Sequence, residues 1–193
     1  MSFLTDNLPE YICVDNKRYP IRTDFRVWLE FYSIMSGNLS TQQKISAVFR
    51  VCFDSKALKI LPKPDFQTLS ALFSFYNCNN DIKTSVNTQK TEKVFCFTKD
   101  AELIYSAFLQ EYSIDLLSVP YLHWFCFCAL FKGLGENTRL MRILSLRSIR
   151  LDDIKNPHQK EHYKRLKNIY ALPDLRSKKQ KDLDIAENLF QIF

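Results

Sequence analysis

The sequence predicts a mostly α fold: a helical domain of about six helices, with a small N-terminal β-hairpin and a C-terminal amphipathic helix. Only three of the 193 residues are Gly, whereas β-sandwiches and barrels need many tight turns. Apolar residues recur at helical spacing in several segments. Hydrophobic residues make up 46% of the chain and include 16 Phe, which is enough material for a packed core.

Residues 10–21 predict the hairpin, because apolar and polar side chains alternate in their first half. Asp15 and Asn16 supply turn residues that tolerate positive φ. Pro20 has no N–H to donate, so the second strand should lie at an edge.

Residues that accept hydrogen bonds from a first helical turn mark the start of each helix. The predicted N-caps are Asp24, Ser40, Asp65, Thr98, Ser118 and Asn156. Gln43 completes a capping box with Ser40. In the third helix the spacing predicts an inward face of Phe66, Leu69, Phe73 and Tyr76.

The chain is expected to form one domain over residues 1–173, followed by a charged link and the C-terminal helix over residues 174–193. The polar stretch at about 77–95 has few apolar anchors, and we interpret it as a mobile loop within the domain.

The stretch from 121 to 147 has two unlike halves. Its first half is apolar on every side of a helix that runs from Ser118 to Gly133 or Gly135, and such a helix is buried in a core, a membrane or a partner. The uninterrupted apolar part, from Trp124 to Phe131, is far shorter than the roughly 20 residues that span a bilayer. We therefore expect no membrane partner.

The second half of that stretch opens a basic region. Between Arg139 and Lys181 there are 13 Lys and Arg against four acids, so the remainder of the chain is slightly acidic. A basic region of this kind binds an acidic protein surface or nucleic acid, or is a solvated helix face. No helix-turn-helix, zinc finger or RNP motif is present, so nucleic acid is the weaker candidate.

No motif in the sequence indicates a chemistry, so we predict that the protein is not an enzyme and needs no cofactor. The six Cys form no C-x-x-C and lie within apolar segments, as free buried cysteines do. His123 and Cys126 share a helix face, but Cys128 points elsewhere, so no metal site is predicted. The first nine residues lack the apolar core of a signal peptide, which predicts a cytosolic chain.

Trp, Tyr and Arg are enriched among the residues that contribute most of the binding energy at protein interfaces. The predicted C-terminal helix has an apolar face, as do helices that insert into a groove of a partner. The predicted partner-binding residues are Tyr121, Trp124, Phe127, Phe131, Arg139, Arg142, Arg147, Leu189, Phe190 and Phe193. The alternative interpretation is that aromatics at helical spacing form a core.

Five sequence blocks in a fixed order resemble one family. They are YPIRTDFR at 19–26, AFLQEYSIDL at 107–116, LHWFCFCALFKGL at 122–134, NTRLMRILSLRSIRLDDIKN at 137–156 and YALP at 170–173. Over roughly residues 8–173 the chain resembles the bacteriophage "gp fifteen" family of long-tailed phages and prophages of Gram-positive bacteria.

The resemblance implies a role in building the phage tail. The family's genes lie between those for the tail tube and the tape measure, a position typical of tail assembly chaperones. It therefore implies a chaperone or assembly factor that binds the tape measure protein in the host bacterial cytoplasm, with the tail tube protein and a second copy of itself as further partners. The alternatives are a structural tail component retained in the virion and a basic nucleic-acid-binding protein.

Overall fold

The computed structural model describes residues 3–54, 64–79 and 94–172. Within these ranges the chain is mostly α, and the elements are β1 (Tyr11–Val14), β2 (Lys17–Pro20), α1 (Phe25–Ser36), α2 (Thr41–Cys52), α3 (Phe66–Tyr76), α4 (Ala101–Tyr112), α5 (Trp124–Lys132), α6 (Arg139–Ser148), a 3-10 turn (Leu151–Asp153) and α7 (Pro157–Tyr170). The predicted fold class is confirmed. The predicted C-terminal helix and most of the predicted loop at 77–95 lie outside the described residues.

The N-terminal hairpin forms as predicted. Its strands are antiparallel, with Ile12 opposite Tyr19 and Val14 opposite Lys17. Asp15 and Asn16 form the connecting turn with φ of 49° and 61°, the left-handed conformation that a two-residue hairpin turn requires.

The chain divides into two compact units. Unit 1 comprises residues 1–82 and 120–132, and unit 2 comprises residues 83–119 and 133–193. Unit 1 is thus built from two separate stretches of sequence. The predicted boundary at residue 173 falls at the edge of the described residues and stays a prediction.

The core of unit 1 is aromatic. The indole of Trp28 is fully buried and packs against the rings of Phe75 and Trp124, with centroid distances of 4.6 and 6.5 Å. Both indoles keep a hydrogen bond: Trp28 Nε1 donates to the carbonyl of Arg22 at 3.0 Å, and Trp124 Nε1 donates to that of Tyr76 at 2.8 Å. Buried Trp needs such a partner for its N–H, so these bonds fix how the rings pack.

A short backbone bridge brings α5 to α1. The N–H of Phe25 donates to the carbonyl of Leu122 at 2.9 Å, and the N–H of Trp124 donates to that of Thr23 at 2.7 Å. These bonds hold the residues before α5 in an extended conformation. This is why α5 begins at Trp124 and the predicted start at Ser118 is wrong.

Unit 2 is formed by α4, α6 and α7, with α6 packed against both other helices. Its fully buried side chains include Phe108 of α4 and Leu140 of α6. The helix α6 is capped by Thr138, whose Oγ1 accepts from the N–H of Met141 at 3.2 Å and donates to the carbonyl of Gly135 at 2.9 Å. The sequence prediction had not separated α6 from the basic region.

Of two further predictions about helices, one is wrong and the other holds only in part. The fourth helix is preceded by Asp100 rather than Thr98, because the carboxylate of Asp100 is engaged in an ion pair that fixes the chain there. In α3 the structure buries Thr68, Leu72 and Phe75. Of the predicted inward residues, Phe66 is 60% exposed, whereas Tyr76 stacks on Trp124 as an inward residue would. The apolar residues of α3 itself cover more than half of its circumference, so their spacing alone did not identify the face that packs inward.

Candidate partner-binding site

Two of the predicted binding residues lie in the core of unit 1. Trp124 and Phe127 are 1% and 0% exposed, and their rings stack with centroids 5.6 Å apart and an interplanar angle of 14°. Phe127 also stacks on Phe25 at 5.0 Å. A partner cannot reach these rings while unit 1 is folded, so the two residues serve the core, as the alternative interpretation held.

Tyr121 and Phe131 lie nearer the surface of unit 1. Tyr121 is 53% exposed, and its hydroxyl shares a hydrogen bond of 2.7 Å with Thr23 Oγ1. Phe131 is half-buried and stacks beside Phe127 with centroids 6.3 Å apart. Both side chains make contacts with their own chain while part of their surface stays open, as suits an aromatic contact with another protein.

Arg147 is occupied inside unit 2. Its guanidinium makes a bidentate ion pair with Asp100, donates from Nη1 to the carbonyl of Val94 at 3.0 Å and donates from Nε to that of Tyr170 at 2.7 Å. Four hydrogen bonds to groups of its own chain leave little capacity for a partner. The structure therefore gives Arg147 an architectural role.

Arg139 and Arg142 remain available on the surface of unit 2, and we refer to them as the arginine pair. Both side chains are exposed in the first turns of α6. Their spacing of three residues places them on one helix face. Neither forms an ion pair with any residue in the described part of the chain.

The position of the arginine pair is electrostatically unfavourable. The start of a helix carries a partial positive charge, which favours acids and disfavours cations by about 0.3–1 kcal/mol each. The first turn of α6 contains no acid. Two arginines without an ion pair among the described residues thus cost stability at this place, and binding of an anionic group would compensate for that cost.

A second basic surface lies on α7, which has no buried residue. Lys160 pairs with Asp152 at 3.6 Å, and Lys167 donates to the carbonyl of Ile149 at 2.8 Å. Lys164 and Arg165 are exposed and form no ion pair with a described residue. Positive charge therefore continues beyond the arginine pair within unit 2.

Some exposed apolar side chains were not singled out by sequence reasoning. In unit 2 they are Leu109, Leu117 and Ile169, which are 45%, 81% and 66% exposed. Leu109 follows the helical period of α4, so its exposure had no signal in the sequence. The residues around Leu117 are largely apolar, and Ile169 lies between Asn168 and Tyr170, so the sequence carried no signal that these two side chains are exposed.

Unit 1 carries an open groove of about 390 Å³ between β1 and α3. Cys13 and Asp15 line one side, and Phe66, Ser70 and Ser74 line the other. Ligand pockets usually enclose most of a small molecule in apolar surroundings. An open groove with this mixed lining is instead typical of a surface depression.

The three C-terminal residues Leu189, Phe190 and Phe193 lie outside the described residues. Across ranges 3–54, 64–79 and 94–172, no three His, Cys, Asp or Glu side chains are placed to hold a metal ion. None of the described helices combines the length and apolar character needed to cross a bilayer.

Comparisons with known proteins bear on identity. The model of the family described as "Bacteriophage Gp15 protein" matches residues 4–172, which include both units' described helices and the arginine pair. The search of curated proteins and the search of solved structures each found no match. Since the family model covers most of the chain, this protein belongs to the Bacteriophage Gp15 protein family.

Proposed function

We propose that this protein is a non-catalytic tail assembly chaperone or assembly factor, which binds the tape measure protein in the host cytoplasm during tail morphogenesis. Membership of a phage protein family supports a phage role, and the gene order of the family supports the tail. The observation in the structure that supports binding is the arginine pair, exposed and without an ion pair among the described residues.

The chemistry of the client suits this surface. A long helical client presents apolar stripes flanked by charged residues. A guanidinium donates two parallel hydrogen bonds to a carboxylate, which makes Arg better than Lys at recognising acidic side chains. The arginine pair would thus contact acidic residues beside an apolar stripe, and the exposed Leu117 and Ile169 supply apolar area in unit 2.

A chaperone must release its client when the tail tube protein polymerises. Many weak sites along one long client give high avidity without strong individual contacts. Two exposed arginines contribute modest energy, because solvent and salt screen exposed charges. A surface of this kind is compatible with a complex that assembles and later dissociates.

The test is co-expression with the tape measure protein of the same phage, followed by pull-down and light scattering. We expect a soluble complex with the wild-type chain and a lost or weakened complex with the double variant Arg139→Glu/Arg142→Glu. The matched control is Arg18→Glu/Arg50→Glu, which reverses two exposed arginines of unit 1. A tape measure protein that aggregates in all three cases would contradict the chaperone proposal.

Two alternatives have their own outcomes. If the chain is a structural tail component, it will be found in purified tails in a fixed ratio to the tube protein. If α7 binds nucleic acid through Lys164 and Arg165, the affinity will fall steeply between about 50 and 200 mM salt. A contact with the apolar stripes of a client will depend on salt far less.

A further inference from the structure

Two thiols in unit 1 lie where α3 ends against α5. Trp124 Nε1 donates to the carbonyl of Tyr76 at 2.8 Å, and the two rings stack with centroids 5.3 Å apart. Cys78 lies two residues beyond Tyr76, and Cys128 lies one helical turn beyond Trp124 on the same face of α5. The two sulfur atoms share a hydrogen bond.

A strained turn fixes the position of Cys78. Cys78 and Asn79 adopt left-handed conformations with φ of 59° and 52°, which side chains other than Gly rarely occupy. The N–H of Cys78 donates to the carbonyl of Phe75, and that of Asn79 donates to the carbonyl of Ser74, both at 2.8 Å. These two bonds close the end of α3, so the first thiol is held by backbone rather than by a loose loop.

The surroundings of the two thiols shift their pKa values in opposite directions, which gives them different reactivities. Cys78 and Cys128 are half-buried, so a small reagent in solution has access to them. The hydrogen bond from Cys128 lowers the pKa of the Cys78 thiol against the opposing effect of partial burial, and the ammonium of Lys132 lowers the pKa of both thiols. The same hydrogen bond and burial raise the pKa of the Cys128 thiol. Cys78 is therefore the thiol that ionises first and attacks.

We propose that Cys78 and Cys128 form a redox-active dithiol, which closes to an intramolecular disulfide by exchange with a small disulfide such as oxidised glutathione. In the first step the Cys78 thiolate attacks one sulfur of the oxidant, forming a mixed disulfide and releasing one glutathione thiolate. In the second step the Cys128 thiol loses its proton and attacks the Cys78 sulfur, releasing the second glutathione thiolate. The protein is oxidised by two electrons and the oxidant is reduced to two thiols.

Closure of this disulfide would join the two sequence stretches that make up unit 1. Cys78 belongs to the stretch that carries the hairpin and α1 to α3, and Cys128 belongs to α5. The link would hold α5 against α3 covalently, in addition to the hydrogen bond between Trp124 and Tyr76. Oxidation would therefore lock unit 1 in the folded form.

The experiment incubates the full-length protein with oxidised glutathione and follows its mass and its tryptic peptides. We expect a loss of about 2 Da, the mass of two hydrogen atoms, and one cross-linked peptide pair joining Cys78 to Cys128. The variant Cys128→Ser should stop at a glutathione adduct on Cys78. The variant Cys78→Ser should give neither product.

Two other thiols serve as controls. Cys126 lies on α5 and has a pKa raised by burial, and Cys52 is fully buried with a pKa raised to about 12, chiefly by burial. Cys126→Ser and Cys52→Ser should leave the cross-link unchanged. The proposal is overturned if Cys78 of the wild-type chain accumulates the glutathione adduct without closing, if the cross-link joins other cysteines, or if Cys78 and Cys128 both stay reduced.

Discussion

Arg147 and Asp100 form a bidentate ion pair within unit 2, with Nη1–Oδ2 and Nη2–Oδ1 distances of 2.8 and 2.9 Å. The carboxylate also accepts from the N–H of Cys96 at 2.9 Å. Through these bonds and those to Val94 and Tyr170, one guanidinium connects the chain before α4 with α6 and the end of α7. The pair therefore ties three separate segments of unit 2 together at a buried position.

Replacing Arg147 by Met should destabilise the protein by about 3–5 kcal/mol, because the variant leaves the buried carboxylate of Asp100 without its cation. Urea unfolding measures the change. The matched control is Arg150→Met, since Arg150 is exposed and its nearest contact with Asp153 is 3.9 Å; its effect should stay below about 1 kcal/mol. Equal effects of the two substitutions would contradict the central role of Arg147.

Reversing the arginine pair should separate stability from binding. Acids are favoured at the start of a helix, so Arg139→Glu/Arg142→Glu should leave the free energy of unfolding unchanged or raise it by up to about 2 kcal/mol. The same variant should weaken or abolish tape measure binding. Thermal unfolding and the pull-down on one protein preparation test both effects. A variant that loses binding because it is unfolded would show a lower melting temperature, which we do not expect.

Phe127 and Phe131 should respond differently to truncation, although both belong to α5 and stack on one another. Phe127→Ala should cost about 3–5 kcal/mol, because it removes a fully buried ring and leaves a cavity. Phe131→Ala should cost clearly less, because that ring is half-buried. The urea midpoints of the two variants measure the difference in stability. If Phe131→Ala were the more destabilising substitution, the burial of Phe127 in the core would be contradicted.

His123 should make unit 1 sensitive to acid. The imidazole is 6% exposed, contacts the carbonyl of Pro9 through Nε2 at 3.1 Å and accepts from the N–H of Phe125 through Nδ1 at 3.0 Å. Because Nδ1 accepts, the neutral ring carries its proton on Nε2 and donates to Pro9. Burial lowers the pKa of this histidine.

The lowered pKa of His123 in the folded state determines how stability changes with pH. Below the unfolded pKa of about 6.5 the unfolded chain binds a proton that the folded chain resists, so stability falls as the pH decreases from there to the folded pKa. Urea midpoints between pH 7.5 and 5 should fall for the wild type and less for His123→Gln. His158→Gln, an exposed site, should retain the wild-type slope.

Features set by local chemistry were predictable from the sequence. The hairpin turn follows from Asp15 and Asn16, which tolerate positive φ. The capping box joins Ser40 and Gln43 as expected. The start of α7 follows from Asn156, whose side chain accepts from two N–H groups of the first turn. Each depends on residues within one turn of one another, so no distant contact was needed.

Features set by distant contacts were not predictable in the same way. The start of α5 depends on the backbone bridge between Asp24 and His123, which lie about a hundred positions apart in sequence. The residues around Ser118 carry no information about this bridge. Arg147 and Arg139 lie in the same basic part of the sequence. The Arg147 side chain is nevertheless engaged in an ion pair, because Asp100 packs against it. Trp124 and Phe127 could belong to a surface or a core by spacing alone, and packing against Phe25 and Tyr76 decides.

The split sequence of unit 1 has a consequence for synthesis on the ribosome. Residues 83–119 are translated between the two stretches of unit 1, which takes between about 2 and 7 seconds at bacterial elongation rates. During that time Trp28 and Phe75 lack the α5 rings that cover them in the finished protein. A nascent chain that ends before α5 is therefore expected to be prone to aggregation and sensitive to protease. It is expected to depend on host chaperones until α5 has been synthesised.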